Sequence, residues 1–150
     1  MNKTVEILPT YRIAYVRQMG QYGPANIQTM DKIKKWAEEK KLLKSAIILG
    51  IPQDNPETTL PENCRYDACI VISPDYQLDD SICEGELIGG EYLIYRVKHT
   101  TTDIQKAWAE ILLLLQNGEF QMEQKPIIER YTFEMIANGY CELCVPVKQA

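Results

Sequence analysis

Glu129 is the only acidic side chain in an apolar and aromatic segment, residues 127–133. Side chains alternate between the two faces of a strand, so Glu129 is predicted to share a face with Tyr131 and Phe133. A carboxylate beside aromatic rings can bind an organic cation through charge pairing and cation–π attraction. The alternative is that Glu129 faces solvent or pairs with Arg130 or with a lysine on a neighbouring strand. With a neighbouring tyrosine hydroxyl, the same carboxyl could also do acid–base chemistry.

Tyrosine is the second unusual feature, with nine Tyr against two Phe. Tyrosine joins a rigid apolar ring to a polar hydroxyl, which suits ligand pockets. The alternative is that the tyrosines cover a half-exposed sheet face, for which they have good β propensity. Trp36 and Trp108 are predicted on the apolar faces of two helices, where a ring can belong to the core or reach a cleft.

No metal site, cofactor or redox centre is predicted. The five cysteines are expected to be reduced thiols, because the chain shows no secretion signal. Cys141 and Cys144 match the C-x-x-C pattern, but they lie in a predicted strand rather than at the start of a helix. His99 is the only histidine. There is no glycine-rich phosphate loop and no context for a Ser–His–Asp triad.

The bulk composition indicates an ordinary globular domain. The chain has 150 residues and a formal net charge of −5. Its longest apolar run, residues 111–115, is far too short to span a bilayer. The lysines near the first predicted helix are interrupted by acidic residues, as on a solvated helix face. We therefore predict a cytoplasmic protein that binds neither membranes nor nucleic acid directly.

The hydrophobic pattern predicts the order strand–helix–strand–strand, twice, over residues 4–74 and 85–148. Residues 4–19 are predicted as one extended segment interrupted at Pro9. The second helix is predicted to begin at Thr102, with Gln105 completing a capping box. Two such α+β halves side by side would form one long antiparallel sheet with two helices on one face. The open face, or the seam between the halves, is then the expected ligand cleft.

Short segments of the two halves also correspond in sequence, which indicates an internal repeat. The matching segments are Tyr15-Val16-Arg17 with Ile94-Tyr95-Arg96, Lys35-Trp36-Ala37-Glu38 with Ala107-Trp108-Ala109-Glu110, and Ile47-Ile48 with Ile127-Ile128.

Several motifs, taken in order, resemble the GyrI-like domains, the effector-binding domains of Rob-type and other multidrug-responsive transcription regulators. The motifs are residues 9–17, 20–23, 50–56, 65–68, 89–92, 129–131 and 144–147. The resemblance implies one domain over residues 1–150, built from two Src-homology-2-like repeats related by pseudo-twofold symmetry. It also implies a cleft between the halves with an acidic residue at its floor.

Glu129 matches that acidic residue, and the resemblance implies that aromatic side chains line the cleft. The predicted ligand-binding residues are Glu129, Tyr131, Tyr66, Tyr92, Trp108, Tyr15 and Tyr22. The predicted function is a stand-alone protein that senses or sequesters amphipathic, cationic organic molecules. One alternative is an interaction protein that inhibits DNA gyrase or acts on a regulator. The other is a hydrolase of cyclopropane-bearing compounds, in which Glu129 would activate water or stabilise charge.

Overall fold

The computed structural model describes residues 3–148, in which strands of one antiparallel sheet alternate with helices. The elements are β1 (Lys3–Leu8), β2 (Tyr11–Met19), α1 (Pro24–Glu39), β3 (Ile47–Pro52), β4 (Arg65–Ile72), β5 (Cys83–Leu87), β6 (Gly90–Lys98), α2 (Thr101–Gln116), β7 (Gln121–Met122), β8 (Ile128–Thr132), α3 (Phe133–Ala137) and β9 (Tyr140–Lys148). Short 3₁₀ turns at Leu43–Ser45 and Pro61–Asn63 precede β3 and β4.

The strand order across the sheet is β1-β6-β9-β8-β3-β4-β2-β5, and β7 adds to β9. Strands β2, β3 and β4 form one half, and β6, β8 and β9 form the other in mirrored order. Each half takes its outer strand from the other, because β1 pairs with β6 and β5 pairs with β2. The antiparallel α+β sheet is confirmed. The Src-homology-2-like character and the repeat boundaries stay predictions.

The predicted single extended segment over residues 4–19 is wrong, because β1 lies at one end of the strand order and β2 lies next to the other end. Only Pro9 and Thr10 connect them, so the sheet must curl until its ends meet. There the Gly89 amide donates to Thr10 Oγ1 at 2.9 Å. A Cβ atom on Gly89 would overlap the Leu8 carbonyl oxygen. The β1–β2 connection and the β5–β6 connection therefore pass each other at a point where only glycine fits.

Curling gives the sheet two different faces. The concave face closes on itself in an apolar core, which includes Leu49, Cys69, Ile94, Ile128 and Cys144. On the convex face α1 packs on β2 and β4, and α2 packs on β6. The predicted apolar faces of both helices are buried, since Ile33 and Ile111 have no exposed surface. The central strands β3 and β8 therefore lie between the two helices.

The start of α2 differs from the prediction by two residues, because Thr100 rather than Thr102 is the N-cap. The Thr100 hydroxyl oxygen accepts from the Asp103 amide at 3.1 Å and donates to the Asp103 carboxylate at 2.6 Å. Asp103 thus takes the place that the prediction gave to Gln105.

We expect Thr100→Ala to destabilise the protein by about 1 kcal/mol, the usual cost of losing such a cap. The melting temperature should then fall by about 2–4 °C. Thr102→Ala is the matched control, since Thr102 lies inside the helix, and should change it little. Equal effects of the two substitutions in thermal unfolding would contradict this assignment of the cap.

Candidate functional site

Matching ion pairs show how the two halves correspond residue by residue. Arg17 in β2 lies opposite Asp67 in β4, and its guanidinium Nε is 2.7 Å from the carboxylate. Arg96 in β6 lies opposite Glu142 in β9, with 3.7 Å between the charged groups. Both pairs lie on the concave face. Asp67 therefore corresponds to Glu142.

The same correspondence identifies the centre of the molecule. Ala68 and Leu143, one residue further along β4 and β9, pair with Gly50 and Glu129 respectively. Gly50 and Glu129 are thus equivalent positions, and they also pair directly with each other across β3 and β8. A pseudo-twofold axis passes between them. At this axis the chain has one carboxylate, because the equivalent position has no side chain.

The Glu129 carboxylate is oriented by Tyr131, whose hydroxyl donates to Glu129 Oε2 at 2.5 Å. Burial, and then the nearby Glu129 charge, raise the pKa of Tyr131 well above its ordinary value, so the hydroxyl stays protonated and can donate. Glu129 is half-buried. Within residues 3–148 its Oε1 accepts no hydrogen bond, and no basic side chain pairs with the carboxylate.

Tyr66 lies on the other side of this carboxylate. Its hydroxyl occupies the space that a Gly50 side chain would take, and Met30 Cε from α1 lies 3.4 Å from the same point. Tyr66 is only 5% exposed, and its hydroxyl has no hydrogen-bond partner in the described part of the chain. Burial, and then the Glu129 charge, raise the pKa of Tyr66, so this hydroxyl also stays protonated.

The surroundings of Tyr131 are mostly apolar. The His99 ring meets the Tyr131 ring edge-on, with 5.3 Å between centroids. Cys141 is buried in the same cluster, and burial together with the Glu129 charge raises the pKa of its thiol to about 12. That thiol is protonated at neutral pH and is a poor nucleophile. The chemistry available at the site is therefore a carboxylate flanked by two protonated phenols.

Of the predicted site residues, Glu129, Tyr131 and Tyr66 are brought together. Tyr22 contacts Tyr66 edge-on at 6.5 Å, but its hydroxyl donates to the Arg65 carbonyl at 2.6 Å and so serves a loop. Trp108 is half-buried on α2, in the cluster that joins this helix to β6 and β9.

Tyr15 and Tyr92 project from the opposite, concave face and are not brought to Glu129. Tyr15 pairs with Cys69, which is adjacent to Ala68 and so points to the other face of the sheet from the partner of Gly50. Tyr92 pairs with Pro146. Tyr92 is 1% exposed, and its hydroxyl donates to the Ile88 carbonyl at 3.3 Å. Both rings pack in the concave core.

The prediction that Phe133 shares a face with Glu129 is wrong. Strand β8 ends at Thr132, whose hydroxyl oxygen accepts from the Met135 amide at 3.1 Å and starts α3. Phe133 is the first residue of that helix and is half exposed.

Gly50, Met30 and His99 also lie at the site, and none of them is predicted individually from the sequence. Gly50 is the sequence signal that could have identified this place, because a glycine inside an apolar strand often marks a close approach by another group.

A depression of about 810 Å³ opens away from Glu129, at the β2–β5 end of the sheet, and includes Arg12 and Glu84 in its lining. Arg12 donates to Glu84 at 2.9 Å and to the carbonyl groups of Ser73 and Tyr76 at 3.0 and 2.6 Å. Its guanidinium is thus used to hold the chain that follows β4, and we assign no ligand to this depression.

Residues 3–148 hold no group of three or more His, Cys, Asp or Glu side chains arranged to bind a metal ion. None of the helices in this part of the chain is long and apolar enough to cross a membrane. All five cysteines are free, and Cys83 alone is exposed.

Comparison with known proteins gives relatives over the full length of the chain. YosT, derived from the SPbeta prophage of Bacillus subtilis, is 40% identical over 149 residues, which cover 99% of this chain and all of YosT. The DNA gyrase inhibitor of Escherichia coli K12 is 25% identical over 148 residues, covering 95% of this chain and 93% of the inhibitor.

Solved structures share the fold at low sequence identity. The EcmrR C-terminal domain matches with a TM-score of 0.72 at 10% identity, over 99% of this chain and 98% of that domain. In the EcmrR–DNA complex this chain spans 58% of the EcmrR chain. SAV2435, solved bound to tetraphenylphosphonium, matches with a TM-score of 0.61 at 14% identity, over 99% of this chain and 94% of that one.

The GyrI-like small molecule binding domain model matches residues 1–148, and the chain therefore belongs to this family, as the sequence motifs predicted.

Proposed function

We propose that this chain binds amphipathic organic cations over Glu129, between α1 and α2, and so senses or sequesters them. The observation that carries the proposal is a carboxylate beside two tyrosines that no basic side chain of residues 3–148 pairs with. The two fully buried carboxylates of residues 3–148 each bind an arginine, since Asp67 binds Arg17 and Glu142 binds Arg130. Glu129 instead accepts one hydrogen bond, from Tyr131.

The surroundings of Glu129 favour a cation with an apolar body. A half-buried negative charge attracts an opposite charge more strongly than an exposed one, because less water screens the pair. The rings of Tyr66 and Tyr131 and the Met30 thioether, of which little is exposed, make the surroundings of the carboxylate apolar and aromatic. A cation held there gains about 0.5–2 kcal/mol from each aromatic face that it contacts.

The test is Glu129→Gln, which removes the charge but keeps the side-chain shape. We expect it to weaken binding of 1-pyrenemethylammonium by about tenfold or more, and binding of neutral 1-pyrenemethanol by less than about twofold. Affinities follow from pyrene fluorescence titration, with thermal shift as a second readout.

Glu57→Gln is the matched control, because Glu57 is an exposed carboxylate whose side chain makes no hydrogen bond within residues 3–148. It should leave both affinities unchanged. If the wild-type protein bound the ammonium and the alcohol equally well, or if Glu129→Gln bound both as the wild type does, the proposal would fail.

Inhibition of DNA gyrase is a second candidate function, favoured by relatives that are named DNA gyrase inhibitors and covered almost end to end. Such a role would use the protein surface rather than the cleft. A supercoiling assay with purified gyrase decides it: this candidate predicts inhibition by the wild type and by Glu129→Gln alike. Full supercoiling at a large molar excess of the protein would count against it.

The hydrolase candidate would use the same carboxyl, with Tyr131 holding it in place. It predicts that Glu129→Gln stops turnover of a cyclopropane-bearing electrophile. Recovery of the compound unchanged after prolonged incubation with the wild-type protein would speak against this activity.

A further inference from the structure

The Tyr66 side chain is largely buried, at 5% exposed, but its hydroxyl oxygen keeps contact with solvent and has no hydrogen-bond partner within residues 3–148. Such a hydroxyl can donate a hydrogen bond to a bound molecule or accept one from it. Tyr22, its aromatic neighbour, uses its own hydroxyl on the Arg65 carbonyl.

Glu129 Oε1 is the second unpaired atom at this place. The one proton of the Tyr131 hydroxyl is already donated to Glu129 Oε2, so Tyr131 has none left for Oε1. An ionised carboxylate accepts hydrogen bonds at both oxygens. Oε1 thus has room for a donor, and no hydrogen bond reaches it from residues 3–148.

These two groups face the same small space. The Tyr66 hydroxyl lies where a Gly50 side chain would be, and Gly50 is directly opposite Glu129 in the strand register. Side chains at such paired positions start about 4.5–5.5 Å apart at their Cβ atoms. One group placed between them can therefore contact both the carboxylate oxygen and the phenol oxygen.

Building on the proposed function, we infer that the site selects cations that carry an N–H bond at the charged nitrogen, such as protonated primary, secondary and tertiary amines, over quaternary cations. An ammonium N–H donates to Glu129 Oε1, and the phenol oxygen of Tyr66 accepts from the same nitrogen or lies against its charge. A quaternary cation pairs with the Glu129 charge but gives no hydrogen bond to Glu129 Oε1 or to the Tyr66 oxygen. Polar groups left unpaired in this way weaken binding, and binding sites discriminate between ligands by this loss.

The inference separates this chain from a neighbour in the same fold. SAV2435 was solved bound to tetraphenylphosphonium, a cation that has no hydrogen-bond donor. At 14% identity the likeness shows a shared fold and gives no information on the ligand of this chain. The N–H preference here rests on the Tyr66–Gly50–Glu129 arrangement of this chain alone.

The test uses a methylation series on one body: 1-pyrenemethylammonium and its N-methyl, N,N-dimethyl and N,N,N-trimethyl derivatives. The last two differ by one methyl group, but only the dimethyl compound keeps an N–H. In fluorescence titrations we expect the wild type to bind the dimethyl compound about tenfold more tightly than the trimethyl compound, as the largest step in the series. Tyr66→Phe should shrink this ratio to about threefold or less and leave the trimethyl affinity within about twofold.

The outcomes distinguish the two proposals. Equal affinity for the dimethyl and trimethyl compounds in the wild type, with both lost in Glu129→Gln, would overturn the N–H preference and support the cation site. Cation affinities that do not change in Glu129→Gln would overturn both. An unchanged ratio in Tyr66→Phe would remove Tyr66 from the explanation, and the wild-type series is decisive even if that variant fails to fold.

Discussion

Replacing Arg130 with methionine should lower the free energy of unfolding by up to about 3–5 kcal/mol, the usual cost of removing one partner of a buried ion pair. Arg130 Nη2 is 2.9 Å from Glu142 Oε1 and 3.5 Å from Glu6 Oε2. The side chains of Arg130 and Glu142 are 12% and 7% exposed, so little water would replace the lost guanidinium. Methionine fills a similar volume and isolates the effect of the charge.

Arg96→Met is the matched control, because Arg96 approaches the same Glu142 carboxylate at 3.7 Å from a half-exposed position. Exposed ion pairs contribute about 0–1 kcal/mol, so this variant should stay within about 1 kcal/mol of the wild type. The double variant Arg130→Met with Glu142→Leu should regain most of the loss, since no buried charge is left unpaired. Urea unfolding measures all four proteins. Equal losses for Arg130→Met and Arg96→Met would contradict burial as the cause.

Arg130 also shows why part of the site could not be predicted. From the sequence, Arg130 is one of the possible partners for Glu129, but adjacent strand residues point to opposite faces. Arg130 lies on the concave face with Glu142, and its second partner, Glu6, is 124 positions away. No local pattern encodes such a pairing, because it depends on which strands become neighbours.

What could be predicted follows from short-range periodicity. Alternation of side chains placed Glu129 and Tyr131 on one face, and helical spacing placed Ile33 and Ile111 on buried faces. The internal repeat predicted a long sheet with two helices. It did not predict that the halves exchange their outer strands, β1 and β5, because the two-residue links at Pro9 and Gly89 look like ordinary interruptions of a strand.

The same limit explains the tyrosines. Strong β propensity places Tyr15 and Tyr92 in strands, but the face that each ring occupies depends on the register of the whole sheet. The motif resemblance could not separate these two rings from Tyr66, which lies on the convex face. Only the pairing of β2 with β4 and of β6 with β9 determines which face of the sheet each ring occupies.

Adding a single methyl group at Gly50 should disturb both folding and binding. A Cβ atom there would overlap the Tyr66 hydroxyl and lie 3.3 Å from the ring carbon that bears it. Tyr66 is too buried to swing away freely, so Gly50→Ala should cost about 1–3 kcal/mol of stability, as overpacked core positions do. Pyrenemethylammonium binding should also weaken, because the displaced ring must enter the space beside Glu129.

The rescue variant decides between this cause and a simple loss of glycine flexibility. Tyr66→Phe alone should be nearly neutral in urea unfolding, since its hydroxyl bonds to nothing within residues 3–148. In the Gly50→Ala background the same change removes the overlapping oxygen, so the double variant should be more stable than Gly50→Ala. Additive losses would refute the steric explanation. If the double variant recovers stability but not the preference for N–H cations, the Tyr66 hydroxyl serves ligand binding rather than folding. That role would explain why the residue opposite Glu129 is a glycine, which leaves room for the hydroxyl.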